Sequence, residues 1–100
     1  MKVRNMRSNS GREVANQFII TDEGRGALGN FTRKETFQSY DSVIAVITRW
    51  PEKTRVELDE HYWNYSKTTG KYRNLFLEEN KKETERKIKS GEYILTNLNR

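Results

Sequence analysis

Apolar positions in this chain come in short clusters separated by polar breaks, with no single period sustained from end to end. Val14, Phe18, Ile19 and Ile20 form the first cluster and predict a strand over Val14–Ile20. Gly24, Gly26 and Gly29 then mark a turn or loop over residues 21–30. A second strand is expected over Phe31–Tyr40, where regular alternation puts Phe31, Arg33, Glu35 and Phe37 on one face. The charged middle of that face predicts a twisted or edge strand. Val43, Ile44 and Ile47 recur at helical spacing, so a short helix over Ser42–Thr48, capped by Ser39 or Asp41, is expected. Val46 extends the same run, and β-branched residues keep a strand in competition there. Pro51 breaks the pattern.

Strict alternation returns at Thr54–Asp59, with Val56 and Leu58 facing one way and Arg55, Glu57 and Asp59 the other. This predicts a half-exposed strand. Residues 61–65 turn away from it and carry Tyr62, Trp63 and Tyr65. Ser66 or Thr68 is placed to cap a helix over Thr69–Glu78, whose apolar stripe is Tyr72, Leu75 and Phe76, with Leu77 a further candidate. A second helix over Lys81–Lys89 has only Ile88 as an aliphatic residue and offers Glu83–Lys87 and Glu85–Lys89 as i,i+4 pairs. Gly91 is its expected stop, and Tyr93–Leu95 a last strand. The expected fold class is therefore α+β: a small mixed domain over residues 13–99, with a mainly antiparallel sheet of three to four strands packed by two or three short helices. Residues 1–12 show no period and are expected as a flexible basic arm.

The chain has 100 residues, enough for one domain with a modest core. Eleven percent aromatic residues, set among the apolar clusters, favour a folded domain despite 33% charged residues. No cysteine is present, which excludes a thiol nucleophile, a disulfide and a thiolate metal site. The single histidine cannot build a multi-histidine centre. No apolar run reaches the roughly 20 residues of a membrane span, and the first residues lack the apolar stretch of a signal peptide. A cytoplasmic protein without membrane contact is the expectation. The formal net charge is +5, of which Lys2, Arg4, Arg7 and Arg12 supply +4. The remaining body is then almost neutral.

Catalytic chemistry finds little to stand on. Gly24, Gly26 and Gly29 match the glycine spacing of a dinucleotide fingerprint, but FTRKETF follows instead of a βαβ unit with its downstream acid. There is no phosphate loop. Asp59, Glu60 and His61 are adjacent, and adjacency alone does not orient a triad or gather a metal site. These residues read as a polar turn after a strand. No catalytic residue, metal or cofactor is expected.

Binding chemistry is better represented. Tyr, Trp and Arg anchor protein interfaces by combining large buried area with polar handles. Arg25, Arg33, Lys34, Trp50, Tyr62 and Tyr65 are the candidate protein-binding residues. Basic side chains also contact phosphates, and exposed aromatics stack on bases. Arg4, Arg7 and Arg12 of the arm, with Lys67, Lys71 and Arg73, are the candidate nucleic-acid-binding residues. The two helices are close enough for a helix-turn-helix pair, but the second has little apolar surface to dock it.

The segments FQSYDSVIAVI, YWNYSKTTGKYRNLFL and KKETERKIKSGEYILTNL, taken together, resemble a small uncharacterised protein family of bacteriophages and other mobile elements in low-GC Gram-positive bacteria. The resemblance covers roughly residues 11–99 and is carried best by Gln38, Ser39, Tyr40, Trp63, Tyr65, Ser66, Thr68, Thr69 and Phe76. It brings no catalytic mechanism. It implies a host-interaction protein in an infected or element-bearing bacterial cell. The leading expectation is a non-enzymatic accessory protein that binds and modulates a host protein or nucleoprotein, an inhibitor of a CRISPR nuclease being one concrete form. Direct DNA or RNA binding is the second expectation, and a structural or assembly component of a virion the third. The GRGALGNFTRKET stretch is a candidate contact loop. Oligomeric state stays open.

Overall fold

The computed structural model describes residues 1–24 and 32–99. Among the described residues six strands and two helices follow in order: β1 (Lys2–Arg7), β2 (Glu13–Glu23), β3 (Arg33–Ser39), β4 (Ser42–Arg49), β5 (Thr54–Asp59), α1 (Lys67–Leu77), α2 (Lys81–Ser90) and β6 (Tyr93–Thr96). The strands form one sheet in sequence order. β1 to β5 are an antiparallel meander, and β6 joins β5 in parallel. A parallel neighbour cannot be reached by a hairpin, so the chain crosses over through α1 and α2. The α+β class matches the expectation, while the sheet is larger than three to four strands.

Two segments account for the difference. Residues 1–12, expected as an arm, carry β1 and its hairpin to β2, with Lys2 opposite Thr21 and Asn5 opposite Phe18. Only Val3 and Met6 are apolar in KVRNMR, too few to announce a strand. Backbone pairing to β2 holds it, and Met6 is buried against Ile19 and Phe37. Lys2, Arg4 and Arg7 at this outer edge also discourage pairing with a further strand. Ser42–Thr48, expected as a helix, is the inner strand β4. Ala45 and Ile47 face the helices, and Val46 and Thr48 alternate to the opposite face, yet all four are buried. A strand covered on both faces gives a continuous apolar run that mimics helical spacing. A register shift between Phe37 and Gln38 brings Ile44 into the helix-side core as well.

Both helices lie on one face of the sheet, α1 over β3 and β4, and α2 beside β6. One core cluster joins Met6, Ile19, Phe37 and Ile44 to Tyr72 of α1. The other joins Ala45, Leu58 and Tyr93, with Trp63, Leu77 and Ile88 packed against it. Phe76 touches both, its ring 5.8 Å from that of Phe37. Phe37 is fully buried, so its truncation to alanine should cost about 3–5 kcal/mol.

Local signals set the helix ends. Ser66 caps α1, its hydroxyl accepting from the Thr69 N–H at 3.1 Å. Asn80 caps α2, and Gly91 ends it at φ 86°. The expected Glu83–Lys87 pair is replaced. Glu83 bonds Arg86, while Lys87 reaches Glu79 at 2.8 Å. Glu79 is nearly buried and accepts from Thr84 and Tyr93 as well, which makes it the stronger partner.

Candidate functional site

β3 is seven residues long, about 20 Å, and its length separates the sequence-predicted site residues into two groups. At one end Arg33 pairs with Arg49, and Trp50 lies just beyond, at the β4–β5 hairpin. Lys53 and Arg55 both sit over the Trp50 ring, at 4.7 and 5.1 Å. Trp50 is thus a half-buried platform for its own neighbours. Lys34 alternates to the sheet face away from the helices. Arg25 lies outside the described residues.

At the other end Ser39 meets Thr69 of α1, hydroxyl to hydroxyl at 3.2 Å, which fixes the start of α1 over the β3–β4 turn. Asp59 organises the adjacent turn. Its Oδ2 accepts from the backbone N–H groups of His61 and Tyr62 at 3.0 and 2.9 Å. Burial pushes the Asp59 carboxyl up, but these bonds and one from the Leu98 N–H outweigh it and hold the carboxyl below its ordinary value. The turn then presents Tyr62 and Tyr65 edge to face, 5.5 Å apart, with Tyr65 52% exposed.

This turn, the outer face of α1, the start of α2 and the β1–β2 hairpin enclose an open concavity of about 710 Å³. Lys67, Gly70, Lys71 and Asn74 follow helical spacing along α1 and line it. Lys81 comes from α2, Asn9 from the β1–β2 hairpin, and Tyr65 from the turn. Among the described residues no Asp or Glu lines this cleft. Near neutrality of the body therefore hides a separation of charge: acidic side chains such as Glu79, Glu83 and Glu92 are tied to Lys87 and Arg86 elsewhere.

Arg73 lies beneath the cleft floor. It is 1% exposed and was expected on the surface as a phosphate contact. Its guanidinium instead donates to the carbonyl of Trp63 at 2.8 Å, to Asn64 Oδ1 at 3.3 Å and to Asn74 Oδ1 at 3.0 Å. It also packs over the Trp63 ring at 5.3 Å, while its Nε finds no partner among the described residues. Burial pulls its pKa down, and the charges of Glu79 and Glu85 raise it only in part. Every acceptor in its hydrogen bonds is a neutral carbonyl. An arginine stays protonated in such surroundings, so a positive charge is held below Gly70. The helix adds to this field. α1 has no acid in its first turn and carries Lys67 there, whereas α2 has Glu83 in its first turn and lysines in its last. Placing cations at the positive end of the helix dipole costs stability, and a bound anion relieves it.

Arg4 and Arg7 lie on the other side of α1. They line a smaller concavity of about 360 Å³ with Arg49, Glu35 and Glu78 over a floor that includes Met6, Ile19 and Ile47. Glu35 there is engaged by Arg49 and Arg33, so this side is mixed in sign. Arg12 is exposed in the β1–β2 hairpin, and its carbonyl accepts from the Ser8 N–H. Of the predicted residues, the fold brings Tyr65, Lys67, Lys71 and Arg73 together. Lys81, Asn9 and Gly70 were missed. The helical spacing of Gly70 and Asn74 behind Lys67 was a readable signal, but nothing local brings Asn9 to them.

Among the described residues no group of three or more His, Asp or Glu side chains is arranged to hold a metal ion. No helix there is long and apolar enough to cross a membrane. The protein is thus an α+β domain whose mixed sheet backs a cation-lined cleft on α1. It belongs to a family of unknown function (DUF8033), which it matches over residues 1–92. No curated protein and no solved structure matches it.

Proposed function

We propose that this chain is a non-enzymatic nucleic-acid-binding protein that engages phosphates in the α1 cleft. The observation that carries this reading is the convergence of Lys67, Lys71 and Lys81 over the buried Arg73 charge, with no carboxylate among the described lining residues. Cations held together without acids bind the phosphate backbone by releasing its counterions, a sequence-independent and salt-sensitive attraction. The resemblance to mobile-element proteins supplies the setting: an accessory protein acting on a host nucleoprotein, of which a CRISPR nuclease complex is one form.

The test is a fluorescence-anisotropy titration of a labelled oligonucleotide at several salt concentrations. The logarithm of the binding constant is expected to fall linearly with the logarithm of salt. The Lys67→Glu/Lys71→Glu double variant should weaken binding and flatten that slope by about 0.7 to 0.9 for each phosphate no longer neutralised. Lys82→Glu/Lys89→Glu on α2 changes net charge equally and should do much less. Absence of binding by the folded protein at low salt, or equal losses from the two doubles, overturns the reading. A second reading, direct docking to a host protein, is favoured by the exposure of Tyr40, Tyr62 and Tyr65 at the same end of the molecule. A stoichiometric partner that survives nuclease treatment of a host lysate is its expected signature.

A further inference from the structure

Charge alone selects any polyanion, but the rim of the cleft carries a second kind of group. Tyr65 immediately precedes the Ser66 cap of α1, so an aromatic ring and the Lys67 cation stand two residues apart at one edge. The ring is about half exposed, and the Tyr62 ring meets it at 80°, which restrains its orientation. An aromatic face at the mouth of a cationic groove matches a base whose own face is free. Duplex bases are stacked on each other and present only their edges, whereas an unpaired strand offers its faces.

The floor agrees. Gly70 stands between Lys67 and Lys71 on the α1 face, and the nearest atoms to a Cβ there would belong to the Arg73 guanidinium, at 3.7 Å from both terminal nitrogens. The absence of a side chain lets a ligand backbone approach the helix closely. Under it lies a positive charge whose Nε is buried and, among the described residues, unpartnered. The walls, from the β1–β2 hairpin at Asn9 to the start of α2 at Lys81, make a receiving surface for a flexible strand.

We infer that the cleft takes an unpaired nucleic-acid strand, with one base stacked on Tyr65 and the neighbouring phosphates on Lys67, Lys71 and Lys81. This rests on the nucleic-acid reading above and names its ligand class. Stacking supplies a contribution that salt does not screen, whereas the phosphate contribution falls as salt rises.

The experiment compares three labelled probes of about 12 nucleotides: an unpaired pyrimidine strand, the same length as a duplex, and an abasic strand with the same phosphates. The unpaired strand is run in deoxyribose and ribose forms, which assigns the preferred sugar. The unpaired strand should bind about tenfold tighter than the abasic strand and the duplex. Tyr65→Ala should bring it to the abasic level while leaving abasic binding unchanged. Tyr65→Leu should behave like alanine, and Tyr65→Phe like the native protein. Circular dichroism should show an unaltered fold, because Tyr65 is exposed. If the duplex or abasic strand binds as tightly as the unpaired strand, or Tyr65→Ala has no effect while Lys67→Glu/Lys71→Glu still weakens binding, the stacking inference falls and the phosphate reading stands. If none of the probes binds, both fall.

Discussion

Position 70 lies inside α1, where a glycine costs about 0.8–1 kcal/mol relative to alanine. A methyl group there makes ordinary contact with Arg73 and forces nothing to move. Further along, Glu78 ends the helix at φ 56°, a left-handed conformation that favours glycine over a residue with a Cβ. The two positions thus carry opposite departures from helix preference. Gly70→Ala is expected to raise stability by about 0.5–1 kcal/mol, and Glu78→Gly by about 1 kcal/mol. Either gain moves the melting midpoint upward by several degrees in thermal denaturation. Their effects on oligonucleotide affinity should differ: Gly70→Ala narrows the cleft floor and weakens binding, whereas Glu78→Gly, outside the cleft lining and removing one negative charge, does not weaken it. Of these two broken local rules, Gly70 is the one that lines the cleft, which ties it to function.

The two helices and β6 are joined by one carboxylate. Glu79, just after α1, accepts from Thr84 Oγ1 at 2.6 Å, Lys87 Nζ at 2.8 Å and the Tyr93 hydroxyl at 2.9 Å. Burial pushes the Glu79 carboxyl up, but these three donors prevail and keep it below its ordinary value. Burial, then the bond to Glu79, pushes the Tyr93 phenol from 10.0 up to about 12. A folded-state value above the unfolded one means that this contribution is complete below pH 10 and is lost as pH rises toward 12. Spectrophotometric titration should therefore show one tyrosine ionising at about pH 12, together with loss of structure. Glu79→Ala leaves three donors without their acceptor and should cost about 2–3 kcal/mol, somewhat below the value for a fully buried pair because Lys87 keeps part of its water. Denaturant unfolding measures that loss. The sequence pairs Glu83 with Lys87 by spacing, and only the packing of α2 against β6 explains why Lys87 turns to Glu79 instead.

At the scale of the whole fold, Leu98 and Asn99 tie strand ends together. Asn99 brackets Val43 of β4, accepting from its N–H at 2.7 Å and donating to its carbonyl at 2.8 Å. Next to it the Leu98 N–H donates to Asp59 Oδ1 at 2.8 Å. This tail links the ends of β4, β5 and β6 to the turn that holds Tyr62 and Tyr65. The Asp59 carboxyl is held below its ordinary value of 3.8, so its contribution is fully present above that pH. It is lost as pH falls through the folded-state value. Asp59→Asn keeps the size but surrenders one acceptor oxygen, and should cost about 1–3 kcal/mol at neutral pH. The variant should also lose less stability on acidification than the native protein, read by unfolding curves at neutral and acid pH.

Elements whose pattern is decided within a few residues were legible from the chain alone. Thr54–Asp59 alternates because one face of β5 meets the core, and that span is the strand observed. Ser66 and Gly91 announce the start of α1 and the stop of α2 because capping is local hydrogen bonding and local φ. Composition by itself excluded thiol chemistry, and showed that +4 of the charge lies before residue 13. Tertiary structure decided what depends on distant partners. β1 is a strand because β2 lends it hydrogen bonds, not because KVRNMR has a strand's pattern. β4 is a strand because both faces are covered. The destination of Arg73 was equally invisible: a surface arginine and a buried one have the same spacing, and the folded 61–65 turn, with Asn74 of α1, supplies the acceptors that hold it inward. Net charge is a property of the sequence. Its separation into a cleft lined by cations is a property of packing, because folding ties Glu79, Glu83 and Glu92 to Lys87 and Arg86 and Glu35 to Arg33 and Arg49, and leaves Lys67, Lys71 and Lys81 together.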